Sequence, residues 1–88
     1  MTDIDKYVID KITTELLPFT IKESKAYHLL STVQDDLQHD KRFKVRKANR
    51  WIGYAQCLLV AEGSLTLDDI ITNTRRIEES ALELTKHE

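Results

Sequence analysis

The sequence predicts an all-α fold, a small bundle of about four helices in a single domain spanning residues 1–88. Three observations predict it. Glycine and proline are limited to Gly53, Gly63 and Pro18, too few for the turns of an all-β or α/β fold of this size. Apolar residues recur every three or four positions along four segments. The links between these segments are short, so consecutive helices are expected to be antiparallel neighbours.

The first predicted helix, shorter than the other three, runs from about Asp3 to Leu16. Thr2 or Asp3 can cap its start. Pro18 ends it, because proline disfavours helical geometry at the residue before it. Its apolar stripe repeats every four residues, through Ile4, Val8, Ile12 and Leu16. Because this stripe is narrow, we expect the helix to pack across the others or against another copy of the chain.

The second predicted helix begins at Thr20, where Thr20 and Glu23 have the spacing of a capping box. A heptad-like apolar seam follows, made of Ala26, Leu29, Leu30, Val33 and Leu37. The predicted break after this seam is Gln38-His39-Asp40. Asp40 is then a possible cap for the next helix.

The third predicted helix runs from about Lys41 to Glu62, and Gly63 is placed to end it in a left-handed conformation. Gly53 lies in the middle, where glycine costs about 1 kcal/mol relative to alanine and often lets another backbone or a ligand approach. The predicted apolar line of this helix is Ala48, Trp51, Ala55 and Leu58, continued by Glu62 and widened by Ile52 and Leu59.

The fourth predicted helix has the clearest start signal. Thr66 is a good N-cap, and Asp68 and Asp69 fill the first turn, where negative charge suits the helix dipole. Leu65 and Ile70 have the spacing of a hydrophobic staple. The apolar repeat that follows comprises Ile70, Thr74, Ile77, Ala81 and Leu84.

The composition indicates a cellular compartment. One cysteine, Cys57, makes an internal disulfide impossible, so a reducing cytosol fits best. No apolar run approaches the roughly 20 residues of a membrane span, and the N-terminus lacks the pattern of a signal peptide. These features predict a cytoplasmic protein that does not enter a membrane.

The sequence contains no recognisable catalytic or metal-binding motif. It has no Gly-x-Ser-x-Gly elbow, no GxGxxG and no GxxxxGK loop. Cys57 lies on an apolar helix and is interpreted as a buried small hydrophobe rather than a reactive thiol. His28, His39 and His87 are scattered, without the spacing of metal ligands. We therefore expect a protein that is not an enzyme and that needs no cofactor or metal.

One segment carries a possible binding function. Six positive charges fall within ten residues at the start of the third helix, and two aromatic residues follow them. On a helix, Lys47, Arg50 and Tyr54 form one basic stripe with an aromatic end. The predicted partner-binding residues of this helix are Lys44, Arg46, Lys47, Arg50, Trp51 and Tyr54.

Three interpretations of this stripe stay open at this point. It can hold phosphates by charge and stack a base on an aromatic ring. It can face an acidic protein surface. It can also be a solvated helix face whose cations pair with acids of the second and fourth helices, with Trp51 in the core. The net charge of −2 argues against long DNA or RNA, because acidic faces repel a polyanion.

Arg75 and Arg76 form a second basic group on the fourth helix. If the third and fourth helices are antiparallel neighbours, residues near 75 face those near 50, and both arginines would support the patch at Arg50. Such a gathering of like charges usually has an anionic partner. Glu78 and Glu79 are the alternative, since they can neutralise the arginines within the helix.

The segment from Phe43 to Arg75 resembles small early proteins of tailed bacteriophages. The resemblance rests on Arg50-Trp51-Ile52-Gly53-Tyr54-Ala55-Gln56, Leu58-Leu59, Glu62-Gly63 and Leu67-Asp68-Asp69-Ile70. Cys57 stands where a small residue such as glycine is expected. The resemblance implies a phage or prophage origin and an accessory role, in which the protein inhibits or sequesters a host component such as a defence effector or a cyclic nucleotide.

The leading functional hypothesis is therefore a non-enzymatic binding protein, with an acidic protein surface or a small phosphorylated ligand as its partner. A nucleotide or nucleic-acid binder is the first alternative, and a purely structural oligomer subunit is the second. We also expect a homo-oligomer, because the apolar seams on several helices exceed what one small core can bury.

Overall fold

The computed structural model describes residues 3–39 and 41–86. It contains four α-helices, and none of the described residues lies in a strand. The helices are α1 (Asp3–Leu16), α2 (Lys25–Gln38), α3 (Val45–Ala61) and α4 (Leu67–Lys86), with a 3-10 helix (Leu17–Phe19) extending α1. The predicted all-α bundle of four helices is confirmed. The predicted caps Thr2 and Asp40, and His87, lie outside the described residues.

The N-terminal helix α1 is the centre of the bundle, since it packs against α2, α3 and α4. Its buried face carries Ile9, Ile12 and Leu16, and it also buries Thr13, whose hydroxyl donates to the Ile9 carbonyl at 2.9 Å. The other large side chains of the core include Leu30, Leu59 and Ile77. Of the two packing modes expected for α1, the structure has the one in which α1 lies against the other helices of the same chain.

The second helix begins four residues later than the sequence predicted. Ser24, not Thr20, is its N-cap, and the Ser24 hydroxyl accepts a hydrogen bond from the amide of Tyr27 at 3.2 Å. The Thr20 hydroxyl instead donates to the Leu17 carbonyl and closes the 3-10 turn. Glu23 has a φ of 70°, which is not a helical conformation. The predicted capping box of Thr20 and Glu23 is therefore wrong.

The third helix also begins later than predicted, at Val45 rather than Lys41. Phe43 is only 5% exposed and belongs to the core, and Lys44 is extended at the N-cap. The chain thus inserts Phe43 into the core from an extended segment before it starts the helix. Burial of the aromatic ring takes precedence over the helical preference of this stretch.

The end of α3 matches the prediction. Gly63 has a φ of +78°, and its amide donates to the Val60 carbonyl at 3.0 Å. The amide of Ser64 donates to the Leu59 carbonyl at 3.0 Å, which completes a Schellman motif. Glycine suits this position because a residue with a Cβ is strained in the left-handed region.

The predicted start of α4 at Thr66 is confirmed as well. The amide of Asp69 donates to the Thr66 hydroxyl at 3.1 Å, and the amide of Thr66 donates to an Asp69 carboxylate oxygen at 3.0 Å. The two residues therefore form a reciprocal capping box. The backbone and side-chain hydrogen bonds from Thr66 lower the pKa of Asp69.

The fourth helix packs on α1, whereas α3 packs most extensively on α2. The molecule is consequently flat, with extents of 40 × 30 × 18 Å. The sequence-based expectation that α3 and α4 lie side by side along their lengths is wrong, because α4 departs from α3 after its first turns and follows α1. This arrangement leaves one long face of α3 uncovered.

Candidate binding surface on the third helix

The core side of α3 is formed by four buried residues, Ala48, Ile52, Ala55 and Leu59. Five exposed residues lie on the opposite side, and we call them the α3 outer face. They are Arg46, Arg50, Tyr54, Cys57 and Ala61. This face is basic over its first turns and apolar over its last, so it offers both charge and apolar surface to a partner.

The interpretation of Cys57 as a buried small hydrophobe is wrong, because the residue is exposed. Periodicity misplaced it by a fraction of a turn. The predicted apolar line ran through Trp51 and Leu58, but both residues are only half-buried, and the buried line runs through Ile52 and Leu59. The rotation of the helix toward Ile52 turns Cys57 outward.

Lys47 is the member of the basic segment that the fold uses. Its Nζ lies 3.6 Å from a carboxylate oxygen of Asp36 on α2 and 4.7 Å from the centroid of the Trp51 ring. Asp36 is the more buried partner, with a side-chain exposure of 16% against 40% for Lys47. For this lysine, the interpretation of cations paired with acids of the second helix holds. Trp51 packs against the core rather than within it.

The other predicted cations of α3 have a different environment. Lys44, Arg46 and Arg50 are exposed, and none has an acid within ion-pair distance among the residues that the structure describes. Arg46 and Arg50 are one helical turn apart, and Tyr54 follows at the next turn. They are therefore available to an external anion, since no internal carboxylate neutralises them.

An open apolar groove lies between α2 and α3, beside the α3 outer face. We call it the aromatic groove; its volume is about 660 Å³ and its lining is Lys25, Leu29, Trp51, Tyr54, Cys57, Leu58 and Ala61. Trp51 and Tyr54 form its aromatic wall, and Lys25 is its one cation. A ligand in this groove would meet apolar surface first and positive charge at the margins.

A second apolar groove lies on the other flank of α3. We call it the α3–α4 groove; its volume is about 450 Å³ and its lining is Gly53, Gln56, Cys57, Val60, Ala61, Leu67 and Ile70. No atom lies within 4 Å of the point where a Cβ on Gly53 would stand. The position of Gly53 is thus open to a close approach, as the sequence led us to expect, and no segment within residues 3–39 and 41–86 fills the space.

Arg75 and Arg76 do not join the α3 outer face as predicted. Arg76 pairs with Glu15 on α1, and Glu15 Oε1 also accepts a hydrogen bond from the Asn73 amide at 3.2 Å. Arg75 is exposed on α4, whose packing partner is α1 rather than α3. Arg76 thus contributes to the contact between α1 and α4. Because α4 does not pack closely along α3, the predicted patch that combines Arg50 with Arg75 and Arg76 is not formed.

The sequence did not identify Lys25 and Leu29 as neighbours of the aromatic wall. Both come from the first two turns of α2, and their contribution depends on the antiparallel register of α2 against α3. Ser24 was the available signal, because it too has the chemistry of an N-cap and directly precedes the apolar seam of α2. A correct helix start places Lys25 at the end of α2 that faces the end of α3.

Within residues 3–39 and 41–86, no group of three or more histidine, cysteine or carboxylate side chains is arranged to hold a metal ion. None of the described helices combines the length and the apolar character needed to span a bilayer. The surface that distinguishes this molecule is the α3 outer face with its two flanking grooves. No protein-family model, curated protein or solved structure matches the chain, so its resemblance to phage proteins stays a hypothesis.

Proposed function

We propose that this protein is a non-catalytic binding protein that holds an acidic protein partner on the α3 outer face. One observation carries the proposal: Arg46 and Arg50 stand free of acids within the described part of the chain, beside an open groove walled by Trp51 and Tyr54. Exposed cations next to uncovered aromatic surface are the composition expected of an interface, in which arginine and aromatic residues are enriched.

The chemistry of the surface specifies the partner further. An apolar or aromatic side chain of the partner would occupy the aromatic groove, where it would displace water from apolar surface. Carboxylates one or two residues away would reach Arg46 and Arg50, and arginine favours the bidentate geometry of a carboxylate. The expected ligand is thus a protein segment with an apolar anchor flanked by aspartate or glutamate.

The test selects peptides from a random display library on the wild-type protein. The expected result is enrichment of sequences that contain an apolar residue flanked by acids. Binding of a selected peptide should weaken about tenfold or more in Arg50→Glu, since a hydrogen-bonded charge pair becomes a repulsion. Lys11→Glu is the control, because it makes the same change of charge on α1, where Lys11 lies over the ring of Tyr7.

Two results would contradict the proposal. One is a selection on this protein that yields no enriched motif, while selection of the same library on an unrelated peptide-binding protein does yield one. The other is an equal loss of binding in Arg50→Glu and Lys11→Glu, which would show that general charge, and not the α3 outer face, attracts the peptide.

A second candidate function is the binding of a small phosphorylated ligand such as a nucleotide. The observation that favours it is the combination of two aromatic walls with Lys25 at one margin of the aromatic groove. A base would stack on Tyr54, and phosphates would contact Lys25 or Arg50. Lys47 lies over one face of Trp51, so that ring has less room for stacking.

Thermal stability in the presence of nucleotides tests this candidate. A ligand at a hundredfold excess over its dissociation constant stabilises the fold by about 2.7 kcal/mol. A panel of mononucleotides, cyclic nucleotides and cyclic dinucleotides should then include one that raises Tm by several degrees, and Tyr54→Ala should abolish the shift. A panel without any shift would exclude this candidate.

The wider role that we propose follows from the resemblance to phage proteins. In that role the protein is a phage-encoded accessory factor of the host cytoplasm that inhibits or sequesters its partner and works as a homo-oligomer. The small size of the domain supports association, because a short chain buries a modest share of its surface. A purely structural subunit remains the alternative if neither peptide nor nucleotide binds.

A further inference from the structure

We infer that two copies of this protein associate through their α3–α4 grooves, with the two α3 helices antiparallel around a two-fold axis near Cys57. This dimer specifies the homo-oligomer of the proposed function and rests on that part of it. The interface uses the α3–α4 groove together with Cys57 and Ala61 of the α3 outer face. Cys57 and Ala61 form the crest between the two grooves and line both of them. The occupant to which the structure points is a second copy of the chain.

The α3–α4 groove has open space at Gly53. Gly53, Cys57 and Ala61 are four residues apart and form a line of small side chains along the groove. At Gly53 nothing lies within 4 Å of the position of a Cβ. An internal glycine destabilises a helix, and no residue of the described part of the chain packs into the open space at Gly53. The space is open to a side chain from outside.

The second argument is an apolar knob on the same face. Leu67, at the first residue of α4, is 62% exposed, and Ile71 one turn later is 44% exposed. Leu67 lines the groove at the end where α3 finishes, while Gly53 lies about 12 Å earlier along α3, eight residues before Ala61. The exposed Leu67 and the open space at Gly53 are therefore separated along α3 and lie on opposite sides of Cys57.

This separation is what a two-fold interface requires. When two α3 helices are antiparallel and cross at Cys57, the Ala61 end of one copy lies opposite the Gly53 end of the other. Leu67 of the first copy then reaches the space at Gly53 of the second, and the symmetry makes the reciprocal contact. Each copy supplies one knob and one hole, so the apolar grooves of both copies are covered together.

The third argument is the charge at the two ends of the face. The N-terminal end is basic through Arg46, and the C-terminal end is acidic through Glu62 and Asp68. None of the three has an ion-pair partner among the described residues. The antiparallel arrangement brings the basic end of each copy over the acidic end of the other. The charged ends and the apolar groove of one copy are thus both complementary to those of a second copy related by the axis at Cys57. This complementarity favours a second copy over an unrelated partner.

The experiment measures solution mass by sedimentation across a range of protein concentrations. The wild-type protein should form a dimer in reversible equilibrium with monomer. Gly53→Met should fill the hole and shift the midpoint of association to a concentration about tenfold higher or more. Because the Cβ has open space in the monomer and methionine favours helix, this variant should keep or raise Tm.

Two further measurements address the knob and the charges. Leu67→Ser should weaken association, whereas Leu82→Ser is the matched control on the distal part of α4, with an exposure of 60% in place of 62%. Arg46→Glu and Asp68→Arg should each weaken the dimer, and the double variant should recover part of the loss. Alkylation of Cys57 should slow as protein concentration rises, because the dimer covers the thiol.

A wild-type protein that stays monomeric at every concentration would overturn the inference, and so would a Gly53→Met variant that associates as the wild type does. Binding of the selected peptide separates this result from the proposed function. The dimer covers Arg46 and Cys57, which belong to the α3 outer face, so dimerisation competes with the peptide. Gly53→Met should therefore bind the peptide at least as tightly as the wild type, since Gly53 does not line the aromatic groove. Loss of the dimer with retained peptide binding would support both proposals.

Discussion

The difference between Lys47 and its neighbouring cations gives the sharpest prediction about stability. Lys47 makes an ion pair with Asp36 and lies over the Trp51 ring, whereas Arg50 has no such contact within the described residues. A partly exposed ion pair contributes about 0.2–1 kcal/mol, and a cation–π contact at such a site contributes about 0.5–1 kcal/mol. Lys47→Ala should therefore lower the free energy of unfolding by about 1–2 kcal/mol.

Arg50→Ala is the matched variant on the same helix, and its cost should stay within about 0.5 kcal/mol. Urea denaturation followed by circular dichroism measures both values. The corresponding loss in Tm for Lys47→Ala is about 4–8 °C per kcal/mol for a domain of this size. An equal cost for the two variants would refute the reasoning, because the contacts of Lys47 with Asp36 and Trp51 would then contribute no stability that Arg50 lacks.

The remaining predictions concern helix ends and pH. Thr66→Ala should lower the free energy of unfolding by about 1 kcal/mol in urea denaturation, because α4 loses its cap. Gly63→Ala should cost about 1–2 kcal/mol in the same assay, since alanine is strained at a φ of +78°. The hydrogen bonds that lower the pKa of Asp69 stabilise the fold fully above its ordinary pKa of 3.8, and this contribution is lost as pH falls through the lowered value. Asp69→Asn should thus be less stable than the wild type at neutral pH and approach it in acid; a constant difference in unfolding free energy across this pH range would contradict the assignment.

Local chemistry made several parts of the fold predictable from sequence. Thr66 as the N-cap of α4 and Gly63 as the left-handed end of α3 depend on contacts with nearby residues, so both were correctly predicted. Asp69 was predicted only as favourable charge in the first turn, and its hydrogen bond from the Thr66 amide was not. The start of α2 was not predicted because Thr20 and Ser24 both have the chemistry of a cap. The choice between them depends on the 3-10 turn that uses the Thr20 hydroxyl.

The candidate site was predictable in part for the same reason. The basic and aromatic residues of α3 were identified from their spacing, and the structure places Arg46, Arg50 and Tyr54 on one exposed face. The orientation of Cys57 was missed because two apolar lines lie close together on α3. The line through Trp51 and Leu58 is less than a half-turn from the line through Ile52 and Leu59, and the sequence does not show which of them is buried. The separation of Arg76 from this face was missed because the choice of α1 over α3 as the partner of α4 is a long-range packing decision.

An NMR titration of the isotopically labelled protein with a selected acidic peptide tests the α3 outer face directly. We predict saturable shift changes in the amides of Arg46, Arg50 and Tyr54 and in the indole of Trp51, with further changes at Lys25 across the aromatic groove. Shift changes concentrated on α1 or on the far part of α4, or no saturable change at any peptide concentration, would contradict the claim that the α3 outer face is the binding surface.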